Sequence, residues 1–201
     1  MHDSEELSDS ALWLEASSGT ERSFAILFDR YRTRVFRKAY AQLRSVADSE
    51  DVVALVFLEA WRNRAKVRIV DGSLLPWLLT ITHYVLLNQK RTARRYGRLL
   101  AAVPAPEQEP DHADAVLDRL DRDAQLVAIR EAMSGLSAQE QSVLDLCLVE
   151  ELPIATVAAV LDIPVGTVKS KLHRGREKVR KRLLASGAST DFGARLDGVQ
   201  S

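Results

Sequence analysis

The sequence predicts an all-α protein of two small helical domains joined by a flexible acidic linker. Two stretches place apolar residues at helical offsets: Phe24, Leu27, Phe28, Tyr31 and Val35, then Leu74, Trp77, Leu78, Ile81 and Val85. Between the helical regions, residues 99–115 (LLAAVPAPEQEPDHADA) hold three prolines and several acids, the composition of an extended linker. Charge follows the same partition. Residues 1–10 carry four acids and no Lys or Arg, residues 24–98 fifteen bases against six acids, and residues 104–123 seven acids against two bases. The formal net charge of zero thus hides two basic modules around an acidic connector, a pattern that points to nucleic acid as the partner of each. At 201 residues and 46% hydrophobic content, both modules can bury a core.

In chain order, residues 1–23 read as a polar, partly disordered lead with a short helix around Leu12, Trp13 and Leu14. The helix from Phe24 continues its apolar face through Ala39 and Leu43, with Arg30, Arg32, Arg34, Arg37 and Lys38 on the outside. Asp48-Ser49-Glu50-Asp51 supplies a cap and first-turn acids for the next helix. Its Val52, Val53, Val56, Phe57 and Trp61 make a broad apolar surface, which is either buried on several sides or docks on another protein. A basic connector, Arg62 to Asp71, ends at Gly72; Ser73 is the expected N-cap of the following helix, with Pro76 in its first turn. On the polar side of that helix Thr80, Tyr84, Asn88, Arg91 and Arg95 align at offsets 0, 4, 8, 11 and 15. Such a row can hydrogen-bond base edges, stack on an unpaired base and neutralise phosphate; the plainer reading is a wetted helix face.

In the second module, Leu117 to Met133 reads as a helix with Leu120, Val127 and Ile129 inward, stopped by Gly135. Ser137-Ala138-Gln139-Glu140 is a capping box that starts a helix with Val143, Leu144, Cys147 and Leu148 inward. The single cysteine, Cys147, excludes an intramolecular disulfide and a thiolate zinc cluster, and reads as a buried structural thiol. His2, His83, His112 and His173 show no metal-ligand spacing. No Gly-rich phosphate loop or paired nucleophile and base is present, so neither catalysis nor a cofactor is expected. The longest apolar stretch, Leu74 to Leu79, falls far short of the roughly 20 residues a bilayer requires. With an acidic start in place of a signal peptide, the expected location is the cytoplasm, without membrane insertion. The Gly- and Ser-rich tail 186–201 reads as disordered.

Leu152 to Arg182 organises the rest, reading as two helices with a tight corner between them. Val157, Ala158, Val160 and Leu161 form a short apolar face, Pro153 sits in the first turn, and Asp162-Ile163-Pro164 ends the helix. Asp162 stands where helix-turn-helix motifs usually carry Gly in a left-handed conformation, a shape Asp accepts better than most residues. The second helix packs Val165, Val168 and Leu172 on one side, and from Val165 to Arg182 carries eight bases against one acid. One face packs and the other is cationic, which suits the major groove of DNA; the alternative is an exposed basic helix ending a bundle.

The run Ile163-Pro164-Val165-Gly166-Thr167-Val168-Lys169-Ser170-Lys171-Leu172-His173-Arg174 resembles the promoter −35-binding helix-turn-helix of extracytoplasmic-function sigma factors, a branch of the bacterial sigma-70 family. The resemblance implies a region 2-like domain at 24–98 and a region 4-like, winged-helix-like four-helix domain at 116–185. It implies −35 contacts by Thr167, Lys169, Ser170, Lys171, His173, Arg174 and Arg176. Trp77 to Thr82, on through Asn88 to Arg91, is similar to the helix that reads the −10 element. Val67 to Ser73 is similar to the loop that captures a flipped base. Together these assign −10 contacts to Asp71, Ser73, Thr80, Tyr84, Asn88, Arg91 and Arg95. By the same resemblance Asp48, Asp51, Val52, Leu55, Val56, Glu59 and Trp61 meet the clamp helices of core RNA polymerase, and the second module meets its flap tip.

Two departures stand out: family members usually carry Asn where this chain has Tyr84, and a Gln–acid pair where it has Ala54-Leu55. The implied function is a sigma factor that binds core polymerase and directs initiation at promoters, in duplex and melted form, under control of an anti-sigma protein. The alternative is a stand-alone helix-turn-helix regulator of duplex operators, which has no need of the row from Thr80 to Arg91.

Overall fold

The computed structural model describes residues 7–100, 128–129 and 131–185, without the side chains of 93–100. The linker beyond Leu100, the inward positions Leu120 and Val127, and the tail from Ser186 lie outside the described residues. The elements are α1 (Asp9–Ser17), α2 (Glu21–Leu43), α3 (Val46–Arg62), a 3₁₀ turn (Arg64–Lys66), α4 (Leu75–Leu100), α5 (Ala138–Leu144), a π-helical turn (Asp145–Val149), α6 (Ile154–Leu161) and α7 (Val165–Ala185). Among the described residues there is no strand, only an isolated bridge between Val70 and Ser73. The chain divides into two compact units, cut after Ala93, Glu151 and Pro164. Residues 152–164, which the sequence places in the second module, are thereby grouped with the N-terminal unit.

In that unit, α1 gives the polar lead a fixed part. Ser8 caps it by accepting from the Ala11 N–H (3.2 Å), and Leu12, Trp13 and Ala16 are buried while Leu14 points out. α2 buries Leu27, Val35 and Ala39 as its spacing predicts. Lys38, expected outside, is buried instead: it stands one turn from Val35 and beside Ala39, both fully buried, on the packed side of the helix. Arg44 closes α2 in a left-handed conformation (φ 55°), and Ser45 then caps α3 by accepting from the Asp48 N–H at 3.3 Å. The helix therefore starts before the expected cap, and Asp48 is a first-turn acid.

α3 contributes Val52, Val53, Val56, Phe57 and Ala60 to the core. Trp13, Phe24, Phe28, Phe57 and Trp61 join an aromatic cluster with ring centroids 4.7–6.3 Å apart, the Phe24–Trp61 pair edge-on at 5.3 Å. α4 adds Leu78, Leu79 and Leu86, following Leu74 just ahead of it. Each of these fully buried aliphatic side chains is worth about 1.5–3 kcal/mol of transfer free energy.

In the second unit, the Ser137–Glu140 capping box is formed in both directions: Ser137 Oγ accepts from the Glu140 N–H (3.2 Å) and Glu140 Oε2 from the Ser137 N–H (2.8 Å). α5 and the π-helical turn bury Val143, Leu144, Leu146, Cys147 and Leu148. The inner face of α7 is Val168, Leu172, Gly175, Val179 and Leu183. Val165, expected on that face, is 46% exposed because it opens the helix a turn short of the packed surface. Gly175 lets α7 approach α5 closely: a Cβ there would stand 2.2 Å from Leu144 Cδ1.

Candidate nucleic-acid interface

The connector ahead of α4 ends in a tight reverse turn. Val70 and Ser73 exchange both backbone hydrogen bonds (3.1 and 3.0 Å), and the two residues between them, Asp71 (φ 54°) and Gly72 (φ 73°), are both left-handed. An Asp-Gly pair with two positive φ angles is the chemistry of a type I′ turn. Ser73 Oγ accepts from the Leu75 N–H at 3.1 Å and lies 3.1 Å from the Tyr31 hydroxyl. The Leu74 N–H donates to Asp9 Oδ2 at 2.7 Å, and the same carboxylate accepts from the Tyr31 hydroxyl and pairs with Arg30. Burial raises the Tyr31 phenol above its ordinary value, and the neighbouring Asp9 carboxylate adds to the rise. Residues of α6 meet the same connector. Thr156 Oγ1 donates to Asp71 Oδ2 at 2.6 Å, Arg68 pairs with Asp162 at 2.6 Å, and an Arg68 N–H donates to the Ala159 carbonyl at 3.4 Å.

Along α4 the expected row is graded. Asn88 and Arg91 are exposed and Tyr84 is half-buried, its ring edge-on to His83 with centroids 5.7 Å apart. Thr80 departs from the row: it is buried, and its hydroxyl donates to the Pro76 carbonyl at 2.9 Å. The Arg95 side chain lies outside the described residues.

On α3, Val52 and Val56 face the core and are shut off from any partner. The exposed row is Asp51, Leu55 (45%) and Leu58 (49%), one side of the helix at i, i+4 and i+7, with Asp48 also exposed. Glu59 is half-buried and accepts from Asn63 Nδ2 at 2.6 Å. Trp61 keeps 37% exposure, with the Arg64 guanidinium 5.1 Å over its ring. Leu58 was not singled out in the sequence, where its helical phase relative to Leu55 was the only available signal.

On α7, Lys169, Ser170, His173 and Arg174 are exposed, and Thr167 and Lys171 half-buried. Arg174 lies back along its helix, donating from Nε to the Ser170 carbonyl (3.2 Å) and from Nη2 to Ser170 Oγ (3.4 Å). Arg176 differs: it follows Gly175 on the edge of the packed face, and its Nε and Nη2 are out of reach of solvent. Burial pushes the Cys147 thiol up to about 11 despite the positive charge of Arg176, so it stays protonated. Lys178 pairs with Glu140 at 2.7 Å, and that bond leads the causes that hold the Glu140 carboxyl down at about 2. Among the described residues no group of His, Cys, Asp and Glu is arranged to hold a metal, and no helix is long and apolar enough to cross a membrane.

Comparison with known proteins matches residues 27–96 to Sigma-70 region 2 and residues 126–179 to Sigma-70, region 4. The chain is 30% identical over 181 residues to the ECF RNA polymerase sigma factor SigK of Mycolicibacterium vanbaalenii, covering 86% of this chain and 88% of that protein. It is 27% identical over 175 residues to SigW of Bacillus subtilis, covering 84% and 93%. Among solved structures, CnrH in complex with the cytosolic domain of CnrY is similar in fold, with a TM-score of 0.51 at 24% identity over 90% of this chain and 99% of that one. The two matched regions lie in the order the helical modules take, and the chain belongs to the extracytoplasmic-function sigma factors of the sigma-70 family, regulatory subunits of transcription initiation and not enzymes by themselves.

Proposed function

We propose that this chain joins core RNA polymerase as a dissociable subunit, in the cytoplasm, and selects promoters through two separate DNA contacts. Lys169, Ser170, Lys171, His173 and Arg174 on α7 read the −35 duplex in the major groove, with Thr167 beside them. Asp71 and Ser73 in the reverse turn, with Tyr84, Asn88 and Arg91 on α4, take the melted −10 strand: the ring stacks on a base, the amide pairs with a base edge and the guanidinium holds phosphate. Asp48, Asp51, Leu55, Leu58, Glu59 and Trp61 on α3 meet the clamp helices of the large polymerase subunit, and the region 4-like module meets the flap tip. An anti-sigma protein covers these surfaces in the uninduced cell, a reading supported by family membership.

The observation that carries this reading is the row on α4 of a half-buried aromatic ring, Tyr84, and the exposed amide and guanidinium of Asn88 and Arg91, following a built backbone turn. A regulator confined to duplex operators has no use for it. Run-off transcription with core polymerase, with and without the chain, tests the proposal. Discrete transcripts only in its presence are expected. No transcripts at any promoter, together with unaided binding to intact duplex, would overturn it in favour of a stand-alone regulator.

A further inference from the structure

We propose that Asp9, on the N-terminal helix α1, is a positioning residue for −10 strand capture, holding the first backbone donors of α4 and with them the reverse turn that precedes it. The proposal rests on the reading of the 70–73 turn and α4 as the −10 contact. Asp9 is only 3% exposed, and a carboxylate so buried must be satisfied by nearby donors. Three groups satisfy it: the Arg30 guanidinium, the Tyr31 hydroxyl and the Leu74 N–H at 2.7 Å, the last 65 residues away in sequence.

The Leu74 N–H belongs to the start of α4, where a helix leaves its first donors free and where the macrodipole favours a negative charge. The next donor, the Leu75 N–H, is taken by Ser73 Oγ, and that oxygen is 3.1 Å from the Tyr31 hydroxyl which also binds Asp9. Asp9 and Tyr31 therefore fix both amides at the junction of turn and helix from outside that junction. The Asp71-Gly72 turn is stitched to the same junction through the Val70–Ser73 pair. The angle between the turn and the row of Tyr84, Asn88 and Arg91 is thus set by a side chain that touches no DNA.

α1 docks by Leu12, Trp13 and Ala16 as well, so removing the carboxylate leaves its apolar anchor in place. This separates positioning from folding. The test uses wild-type holoenzyme and holoenzymes carrying Asp9→Ala or Tyr31→Phe, with three readouts: affinity for core, affinity for a −35 duplex, and the preference for a −10 strand selected by the wild-type holoenzyme from a randomised pool over a scrambled strand. Asp9→Ala should lower that preference about tenfold, the order expected when a hydrogen bond to a charged group is lost, with core and −35 affinities within about twofold of wild type. Tyr31→Phe, which keeps the ring and the Leu74–Asp9 bond, should lower it by about threefold, since it loses the hydroxyl's links to Ser73 and Asp9 while the Asp9 carboxylate keeps Arg30 and the Leu74 N–H. Unchanged preference in both variants, or core and −35 affinities falling in step with it, would overturn the assignment. A wild-type holoenzyme that selects no −10 strand at all would overturn the −10 reading, and this proposal with it.

Discussion

Two corners of the chain launch the two helices proposed to read DNA, and each turns on a left-handed aspartate: Asp71 (φ 54°) before α4 and Asp162 (φ 57°) before α7. They are built in opposite ways. The corner at Asp162 is closed by its neighbours: its own N–H and that of Ile163 (3.1 Å) both return to the Ala158 carbonyl, and Pro164 forbids continuation of α6. The corner at Asp71-Gly72 is closed locally only in part, and its exit is held by Asp9 and Tyr31 from distant helices. A duplex presents its base edges at a fixed spacing, so a rigid helix bearing exposed side chains is enough to read it. A melted strand brings no geometry of its own, so the protein backbone must supply one, and a buried polar network does so.

The largest expected effect removes the support of α7 and leaves the first corner untouched. Gly175→Val puts a branched side chain where even a Cβ would stand 2.2 Å from the buried Leu144. Overpacking of this kind costs about 1–3 kcal/mol. Urea unfolding should show a destabilised C-terminal unit, and −35 duplex affinity should fall sharply while −10 strand preference survives. Equal loss of both would mean that the two corners are not independently built.

Arg174→Ala comes next. It should reduce the discrimination between a matched and a mismatched −35 duplex by about 1–3 kcal/mol if the guanidinium reads guanine. Arg180, exposed and only 4.0 Å from Glu177 at best, should instead weaken all duplexes alike when changed to Ala and lower the salt slope by about one. Titrations of both variants at several salt concentrations distinguish them. Identical losses on specific and random DNA for Arg174→Ala would refute its assignment as a base reader.

These two corners also mark what was legible in the sequence. The corner at Asp162 lies in contiguous residues, so the end of α6 and the cationic face of α7 can be read from spacing and residue type, and its left-handed shape from the place Gly usually takes in a helix-turn-helix motif. The capping box at Ser137 was legible for the same reason. The anchoring of the first corner was not, because nothing in the local sequence links Asp9 to Leu74; only the tertiary fold brings them together. The Asp71-Gly72 turn did carry a local signal, the Asp-Gly dipeptide that favours two positive φ angles, which composition alone had reduced to a connector. Burial separated residues that periodicity had put on one face. Thr80 and Arg176 share a helical phase with exposed neighbours yet sit at the edge where the core begins, and Val52 and Val56 fall on the buried side of a helix that is apolar on two sides.

A smaller effect tests how α5 is tied to α7. Lys178 and the capping box hold the Glu140 carboxyl at about 2, below its ordinary 4.5. This contribution to stability is present in full above pH 4.5 and is lost as the pH falls toward 2. Glu140→Gln keeps the shape but gives up the charge, and should cost about 1 kcal/mol near pH 7. Urea midpoints measured at a series of pH values should converge for variant and wild type in acid. A constant gap down to the lowest pH would show that the Lys178 pair plays no part.

The smallest effect bears on how local the second corner is. Asp162→Gly relieves a left-handed side chain, a gain of at most about 1 kcal/mol because Asp tolerates that conformation better than most residues. Against it stand the backbone entropy of glycine, about 0.5–1 kcal/mol, and the loss of the Arg68 pair. Arg68 and Asp162 are 44% and 73% exposed, so their attraction is worth about 0–1 kcal/mol and is screened by salt. The terms nearly cancel, leaving a net loss of about 0.5 kcal/mol at low salt that disappears at about 1 M salt, where the Debye length is only about 3 Å. Thermal melts at the two ionic strengths read the difference directly. A loss above about 2 kcal/mol at both would mean that Asp162 is held by more than its neighbours, and the contrast between a locally built corner and a remotely anchored one would fail.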